Sequence, residues 1–272
     1  MSAFSTLSQR VITGLVLIGA TAAILFFSTP FYFSVEVTLF VALGLLEFFN
    51  LMREGNVPVY RFFGVSMGIV VPVLVYMELG MAESGEILFI VLGCLFLFVL
   101  QFFRKDNSQA LIGISLTLFG ILYVSWFLSF LIKIRFLEGG AWWAAYLIAV
   151  TKAADIGAYF VGTAAGRHSL IPHISPKKSV EGTFAGLGAS VLVSWALGPY
   201  LPIRFGAGHL AVVGLLIGAV GQIGDLSESL MKRFCDTKDS GRLLPGMGGV
   251  LDAADSILFT APIFYFHLRI FA

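Results

Sequence analysis

A long polar stretch, GDLSESLMKRFCDTKDSGRLLPGMGGVLDAAD, lies at residues 224–255 between apolar segments. The stretch contains five Asp, one Glu, four Lys or Arg and five Gly. The whole chain of 272 residues is 58% hydrophobic and only 12% charged, whereas a soluble domain has about 25% charged residues. A dense charged loop between segments this apolar indicates an integral membrane protein.

Apolar runs recur along the whole chain, and many approach the roughly 20 residues that a helix needs to cross a bilayer. The breaks between them carry Gly, Pro, Ser, Asn or charged residues, which are typical of turns. We therefore predict an all-α, polytopic membrane protein with about nine transmembrane helices. The predicted spans are 11–28, 34–52, 63–79, 86–103, 109–132, 141–164, 183–201, 208–226 and 255–270.

The two parts of the chain differ in composition. Residues 1–135 are rich in Phe and Leu, whereas residues 136–272 carry both long polar loops and the Lys152 and Asp155 of the span at 141–164. We therefore predict scaffold helices in residues 1–135 and the functional helices in residues 136–272, within one integrated membrane domain.

The distribution of Lys and Arg predicts the orientation, because cytoplasmic loops carry an excess of these residues. With the N-terminus inside, twelve of the 17 Lys and Arg lie on the inner side, four lie on the outer side and Lys152 lies within a span. We therefore expect both long polar loops to face the cytoplasm. The predicted location is the cell inner membrane or plasma membrane, as a multi-pass protein.

Lys152, Asp155 and Glu47 are charged residues that fall well inside predicted spans. Lys152 and Asp155 are spaced i, i+3, so they share one helical face. A charge near the bilayer centre costs about 2.5–3.5 kcal/mol on insertion scales and therefore faces a partner or a water-filled cavity. The pair is interpreted either as a neutralising contact between helices or as part of a functional site. Glu47 has no obvious local partner, and it either pairs with Lys152 or lines a cavity.

The first long polar loop combines hydroxyl and ammonium groups just before a predicted helix. Ser175, Lys177 and Lys178 precede the span at 183–201, and the N-terminus of a helix attracts anions. This combination predicts a phosphate site. The alternative is that the two lysines anchor the helix to anionic lipid headgroups. His168 and His173 are interpreted as polar residues of the membrane interface and not as ligands.

The second polar loop, residues 224–255, places carboxylates on two different helices. Asp225 and Ser229 share a face at the end of one span, and Asp252 and Asp255 begin the next. The glycine-rich turn at 245–249 permits close approach of the backbone to a ligand. Mg²⁺ prefers such oxygen ligands and shares its other positions with phosphate and water. The stretch therefore predicts a site for metal and phosphate, the alternative being a solvated loop that is merely rich in charge.

Three segments, in this order, resemble those of the CDP-diacylglycerol synthase (phosphatidate cytidylyltransferase) family. The similarity covers roughly residues 150–265. The chain departs from the family pattern at Met247, where the family usually has His, and at Ala253, where it usually has Arg. The segments are Asp155-Ile-Gly-Ala-Tyr-Phe-Val-Gly, Ile174-Ser-Pro-Lys-Lys-Ser-Val-Glu-Gly, and the run from Ser229-Leu-Met-Lys-Arg through Lys238-Asp to Pro245-Gly-Met-Gly-Gly-Val-Leu-Asp-Ala-Ala-Asp.

The resemblance implies a membrane nucleotidyltransferase that converts CTP and phosphatidate into CDP-diacylglycerol and pyrophosphate in phospholipid synthesis. It implies Mg²⁺ held by Asp225, Asp252 and Asp255, with a second cation left open. The implied catalytic residues are Asp225, Asp252, Asp255 and Lys238. The implied substrate-binding residues are Asp155, Ser175, Lys177, Lys178, Ser229, Lys232, Arg233, Asp239, Gly246, Gly248 and Gly249. The expected partners are CTP, phosphatidate and the membrane but no nucleic acid, and a homodimer is left open.

Two other functions fit part of the pattern. An ion-coupled secondary transporter would use Lys152, Asp155 and Glu47 as a site near the bilayer midplane. Such a transporter has little need for a dense charged loop on one side of the membrane, so the stretch at 224–255 argues against it. Another transferase acting on lipid-linked phosphates is the remaining alternative.

Overall fold

The computed structural model of the chain describes residues 3–78 and 85–271. Most of these residues are helical, and one short antiparallel hairpin lies between residues 165 and 180. The hairpin strands are β1 (Ser169–Ile171) and β2 (Ser175–Ser179). The helices are α1 (Ala3–Phe27), α2 (Pro30–Glu54), α3 (Arg61–Glu78), α4 (Gly85–Phe102), α5 (Ala110–Gly120), α6 (Phe127–Arg135), α7 (Gly140–Ala165), α8 (Val180–Leu197), α9 (Ala207–Phe234) and α10 (Val250–Phe271).

The helices confirm the prediction of an all-α, multi-pass membrane protein. A π-helical segment, Ile121–Trp126, joins α5 to α6 into one continuous span. In the described part of the chain, five helices are long and apolar enough to cross a membrane: Pro30–Glu54, Ala110–Arg135, Gly140–Ala165, Val180–Tyr200 and Ala207–Phe234. The count of nine spans stays a prediction, and the end of the span predicted at 63–79 lies outside the described residues.

The chain forms two compact units. The first unit contains the chain up to Lys133 together with Phe234–Asp252, and the second contains Ile134–Arg233 and the chain from Ala253 onward. The loop between α9 and α10 therefore belongs to the first unit, although it follows helices of the second. The division into scaffold and functional halves concerns activity and stays a prediction.

In the first unit, bulky side chains of α2 pack against glycines of neighbouring helices. Phe49 occupies the space of a Cβ on Gly64 of α3, since such an atom would lie 2.2 Å from the Phe49 ring. Leu45 meets Gly68 in the same way, also at 2.2 Å. Phe49 and Leu45 are fully buried. The missing glycine side chains thus let α3 lie close to α2.

In the second unit, α7 and α8 pack through small residues on both helices. A Cβ on Gly186 of α8 would lie 2.7 Å from the carbonyl oxygen of Ala154, and a Cβ on Gly157 of α7 would lie 2.7 Å from Ala189. Small residues at such contacts allow membrane helices to approach closely, which gains van der Waals packing that lipid cannot replace. This contact fixes the distance between the helix that carries Lys152 and the helix that follows β2.

Two further features of the second unit position the polar residues. The Ser179 hydroxyl accepts a hydrogen bond from the backbone N–H of Gly182 at 3.1 Å, so it caps the N-terminus of α8. A Cβ on Gly224 of α9 would lie only 2.5 Å from the carbonyl oxygen of Asp255 on α10. Gly224 therefore lets α9 and α10 approach at the level of Asp225 and Asp255.

Candidate active site

The first cluster of polar side chains lies on α7 and α10 in the second unit. The Lys152 ammonium donates hydrogen bonds to Asp155 Oδ2 at 3.0 Å and to Ser256 Oγ at 2.9 Å. The Ser256 hydroxyl in turn donates to Asp155 Oδ2 at 2.8 Å. The predicted pairing of Lys152 with Asp155 is confirmed. Ser256 was missed, because a serine in an apolar helix gives no signal of its own.

The second ion pair joins the hairpin to α9. The Lys178 ammonium on β2 lies 2.7 Å from Asp225 Oδ2, and both side chains are partly exposed. Ser229, one turn after Asp225, donates a long hydrogen bond of 3.5 Å to Asp225 Oδ1. Two residues that the sequence singled out in different loops are therefore in direct contact. A carboxylate with an ammonium beside it is suited to bind a metal ion on one side and a phosphate on the other.

The buried carboxylate of Asp255 completes this cluster, which we name the α7–α10 cluster: Lys152, Asp155, Lys178, Asp225 and Asp255. Asp255 is 7% exposed, and the charges that act on it are those of Asp225, Lys152 and Asp155. The carboxylate oxygens of this cluster are the kind of ligand that Mg²⁺ prefers.

Glu228, Lys232 and Arg233 serve as structural contacts at the end of α9. Glu228 is fully buried, and Lys232 lies 3.3 Å from its carboxylate at i+4. Arg233 Nε donates a hydrogen bond of 3.2 Å to the carbonyl oxygen of Ile174 in the hairpin turn. The structure thus gives Lys232 and Arg233 partners within the protein, and their assignment to substrate binding stays a prediction.

The remaining residues of the hairpin lie closer to solvent. Lys177 is exposed and Ser175 is half-buried. His168 Nδ1 lies 2.6 Å from Glu181 Oε1 on α8, and His173 is exposed in the turn. The interpretation of the two histidines as polar residues of the membrane interface stays a prediction, as does contact of Ser175 or Lys177 with a substrate.

In the first unit, Asp252 holds the glycine-rich loop. Its Oδ2 accepts hydrogen bonds from the backbone N–H of Ser240 at 3.0 Å, from the Ser240 hydroxyl at 2.8 Å and from the N–H of Gly249 at 2.8 Å. Gly246 has φ 76 and Gly248 has φ 100, a conformation that only glycine adopts without strain. The predicted tight turn is therefore present, and Asp252 is its anchor.

The Glu47 carboxylate is a second anchor of the same loop. Glu47 is buried on α2, and its Oε2 accepts a hydrogen bond of 2.8 Å from the backbone N–H of Leu251 at the start of α10. Lys238 and Asp239 lie exposed before this loop. The sequence offered Lys152 or a cavity for Glu47, whereas the partner in the structure is the backbone N–H of Leu251, 204 residues away.

The predicted metal ligands lie in different units: Asp225 and Asp255 in the second, and Asp252 in the first. Within residues 3–78 and 85–271, no three Asp, Glu, His or Cys side chains form a group that could hold a metal ion. Mg²⁺ commonly takes only one or two protein carboxylates and fills its other positions with water and phosphate. Asp225 and Asp255 fit this requirement, and the metal assignment of all three residues stays a prediction.

Comparison with known proteins gives matches along nearly the whole chain. The model of the cytidylyltransferase family matches residues 8–271. A phosphatidate cytidylyltransferase of Synechocystis is 35% identical, over 96% of this chain and 96% of its own length. The phosphatidate cytidylyltransferase of Bacillus subtilis is 32% identical over 98% of this chain and 99% of its own length, and that of Haemophilus influenzae is 31% identical over 96% and 98%.

Proposed function

The chain belongs to the cytidylyltransferase family, and we propose that it converts CTP and phosphatidate into CDP-diacylglycerol and pyrophosphate. The observation that carries the proposal is the α7–α10 cluster, which combines carboxylates and ammonium groups in a membrane protein whose relatives are phosphatidate cytidylyltransferases over their full length. The transporter alternative is not favoured, because the relatives named above are phosphatidate cytidylyltransferases.

The reaction joins a phosphate oxygen of phosphatidate to the α-phosphorus of CTP. The bond from that phosphorus to the β-phosphate bridging oxygen breaks, and pyrophosphate leaves with the electron pair. Such a transfer asks little covalent chemistry of the protein, because positioning and neutralisation of charge lower the barrier. No nucleophilic side chain is required, so neither Ser229 nor Cys235 is assigned that role.

The α7–α10 cluster supplies the charges that the transfer needs. We assign Asp225 and Asp255 to hold Mg²⁺, which would neutralise phosphate oxygens when bound. Lys178, 2.7 Å from Asp225, is placed to pair with a phosphate bound beside that carboxylate. Lys152 holds Asp155 and Ser256 in fixed positions through its hydrogen bonds. These contacts keep the cluster ordered before the substrates arrive.

The excess of Lys and Arg in the predicted inner loops supports an active site that faces the cytoplasm of an inner or plasma membrane. The hairpin and the end of α9, which carry Lys178 and Asp225, lie at this predicted inner side. CTP would then reach the cluster from the cytoplasm, and phosphatidate would reach it from the bilayer. The orientation is tested with a variant whose single cysteine replaces the exposed Lys177. In right-side-out vesicles, we expect a membrane-impermeant maleimide to label this cysteine only after the vesicles are lysed. Labelling before lysis would contradict the orientation.

The proposed reaction is tested with the purified protein in detergent micelles that contain phosphatidate. We expect labelled CTP to yield CDP-diacylglycerol and an equal amount of pyrophosphate, with Mg²⁺ required and chelator abolishing the product. Product formation that is unaffected by chelation would contradict the metal assignment while leaving the reaction intact.

The two departures from the family pattern are part of this test. The proposal includes activity with Met247 and Ala253 in place. A chain that is inactive as it stands but gains activity on Met247→His and Ala253→Arg substitution would assign these positions a role in catalysis. Absence of product from both the chain and the double variant, each shown to be folded, would contradict the proposed function.

A further inference from the structure

The Glu47 carboxylate is buried in the first unit, far along the chain from every polar motif. It lies on α2, where its neighbours along the helix include the fully buried apolar side chains of Leu45 and Phe48. A buried charge in such a helix is costly unless it is hydrogen-bonded. The partner is the start of α10, because Glu47 Oε2 accepts from the N–H of Leu251 at 2.8 Å and the N–H of Val250 adds a second favourable interaction.

These amide groups need an acceptor from outside their own helix. Val250 and Leu251 are the first two residues of α10, and the first four N–H groups of a helix have no intrahelical partner. A carboxylate is also the side chain that the positive end of a helix dipole favours. Glu47 therefore caps α10 from another helix.

The surrounding loop is shaped to admit this carboxylate. A Cβ on Gly241 would lie 2.4 Å from Glu47 Oε1, and a Cβ on Gly249 would lie 2.4 Å from Glu47 Oε2. No side chain fits at either position while Glu47 stays in place. Gly249 also donates its N–H to Asp252, so Glu47 and Asp252 hold the same turn from opposite directions along the chain.

We propose that Glu47 is a positioning residue for cytidylyl transfer, which fixes the glycine-rich loop and the first turn of α10 without touching substrate. This inference rests on the proposed function. α10 carries Asp252, which anchors the loop, and one turn later Asp255, so a shift of its first turn would displace the carboxylate that we assign to hold Mg²⁺. Misplacement of a catalytic group by about 1 Å can cost about 100-fold in rate.

The variants are Glu47→Ala, which removes the acceptor, and Glu47→Gln, which keeps an acceptor oxygen without the charge. We expect Glu47→Ala to lower kcat by about 10- to 100-fold, as is common when a supporting partner is removed, with KM for CTP within about threefold. Glu47→Gln should recover part of the loss. Gly241→Ala, which drives a methyl group into Glu47, should lower kcat in the same way without altering the carboxylate.

Two matched controls exist in the first unit. Glu36 is another half-buried carboxylate of α2, and it accepts a hydrogen bond of 2.6 Å from Thr21, so Glu36→Ala tests the loss of such a group away from the loop. Gly19 of α1 has open space at its Cβ, so Gly19→Ala tests a neutral glycine substitution. Both controls should keep kcat within about twofold.

Amide hydrogen exchange measured by mass spectrometry gives a readout that does not depend on activity. Glu47→Ala should speed exchange at residues 249–251 about tenfold, whereas Glu36→Ala should leave these amides unchanged. An active wild type with unchanged kcat in Glu47→Ala and Gly241→Ala, or with unchanged exchange at 249–251, would overturn the inference and leave the function intact. A wild type without transfer activity would instead refute the proposed function, and with it the catalytic part of the inference.

Discussion

Replacing Gly186 with Ala tests whether close packing of α7 against α8 holds the second unit together. The new Cβ would lie 2.7 Å from the carbonyl oxygen of Ala154 and 3.0 Å from Gln222 Nε2. A backbone carbonyl cannot rotate away as a side chain can, so the helices must move apart. Overpacking of this kind costs about 1–3 kcal/mol, and the better helix propensity of Ala returns about 0.5–1 kcal/mol. The net loss is about 0–2.5 kcal/mol, with a central value near 1 kcal/mol.

Gly188 offers a matched control on the same helix, two residues away. It is exposed and nothing lies within 4 Å of its Cβ position, so Gly188→Ala should gain about 0.5–1 kcal/mol from helix propensity alone. At about 2–4 °C per kcal/mol, we expect the Tm of Gly186→Ala to fall by about 2–4 °C and that of Gly188→Ala to rise by about 1–4 °C. Thermal unfolding in one detergent, followed by tryptophan fluorescence, measures both. Equal shifts of the same sign would refute the packing argument.

Three further predictions follow from named contacts. Ser179→Ala should lower the stability of the second unit by about 1 kcal/mol, the usual loss on removing an N-cap. Ser179→Thr should keep most of this stability, because its hydroxyl can still accept the hydrogen bond. Equal Tm values for Ser179→Ala and the wild type would contradict the capping role of Ser179. Burial raises the pKa of the Cys235 thiol, and the charges of neighbouring acidic side chains raise this pKa further. In a Cys94→Ser variant, alkylation of Cys235 should therefore be slow at neutral pH, and its rate should keep rising above about pH 8.5. Fast alkylation at pH 7 would contradict a buried thiol. Asp252→Ala should speed amide hydrogen exchange in the glycine-rich loop at least tenfold, because the Asp252 carboxylate accepts three hydrogen bonds there. The control Asp239→Asn, at an exposed position, should leave the exchange rate unchanged. Equal exchange rates in the two variants would contradict the role of Asp252 as the anchor of the loop.

The sequence was most informative where a contact is local or where charge is rare. The spacing of Lys152 and Asp155 within one helix predicted their pairing, and the structure confirms it. The glycine-rich turn was predicted from composition, and Gly246 and Gly248 do adopt positive φ. In both cases the physical cause lies within a few residues, so a pattern can reveal it.

Contacts between distant parts of the chain could not be predicted. Lys178 and Asp225 were each recognised as polar residues in an apolar protein, but their pairing depends on how the hairpin meets α9. Glu47 was noticed for its charge, while its partner Leu251 contributes only a backbone N–H and gives no sequence signal. The short hairpin was also missed, because strands of three and five residues fall within what composition marks as a loop.

The substitution Asp225→Asn is the sharpest test of cytidylyl transfer by the α7–α10 cluster. This substitution keeps the size of the side chain and removes the charge that pairs with Lys178. Asp236→Asn, at an exposed position outside the cluster, is the matched control. The measurement is kcat/KM for CDP-diacylglycerol formation from CTP and phosphatidate at saturating Mg²⁺. We expect Asp225→Asn to lose at least about 100-fold, comparable to the loss of one preorganised electrostatic group, while Asp236→Asn stays within about twofold of wild type. Equal kcat/KM values for the two folded variants would contradict a role of the α7–α10 cluster in cytidylyl transfer.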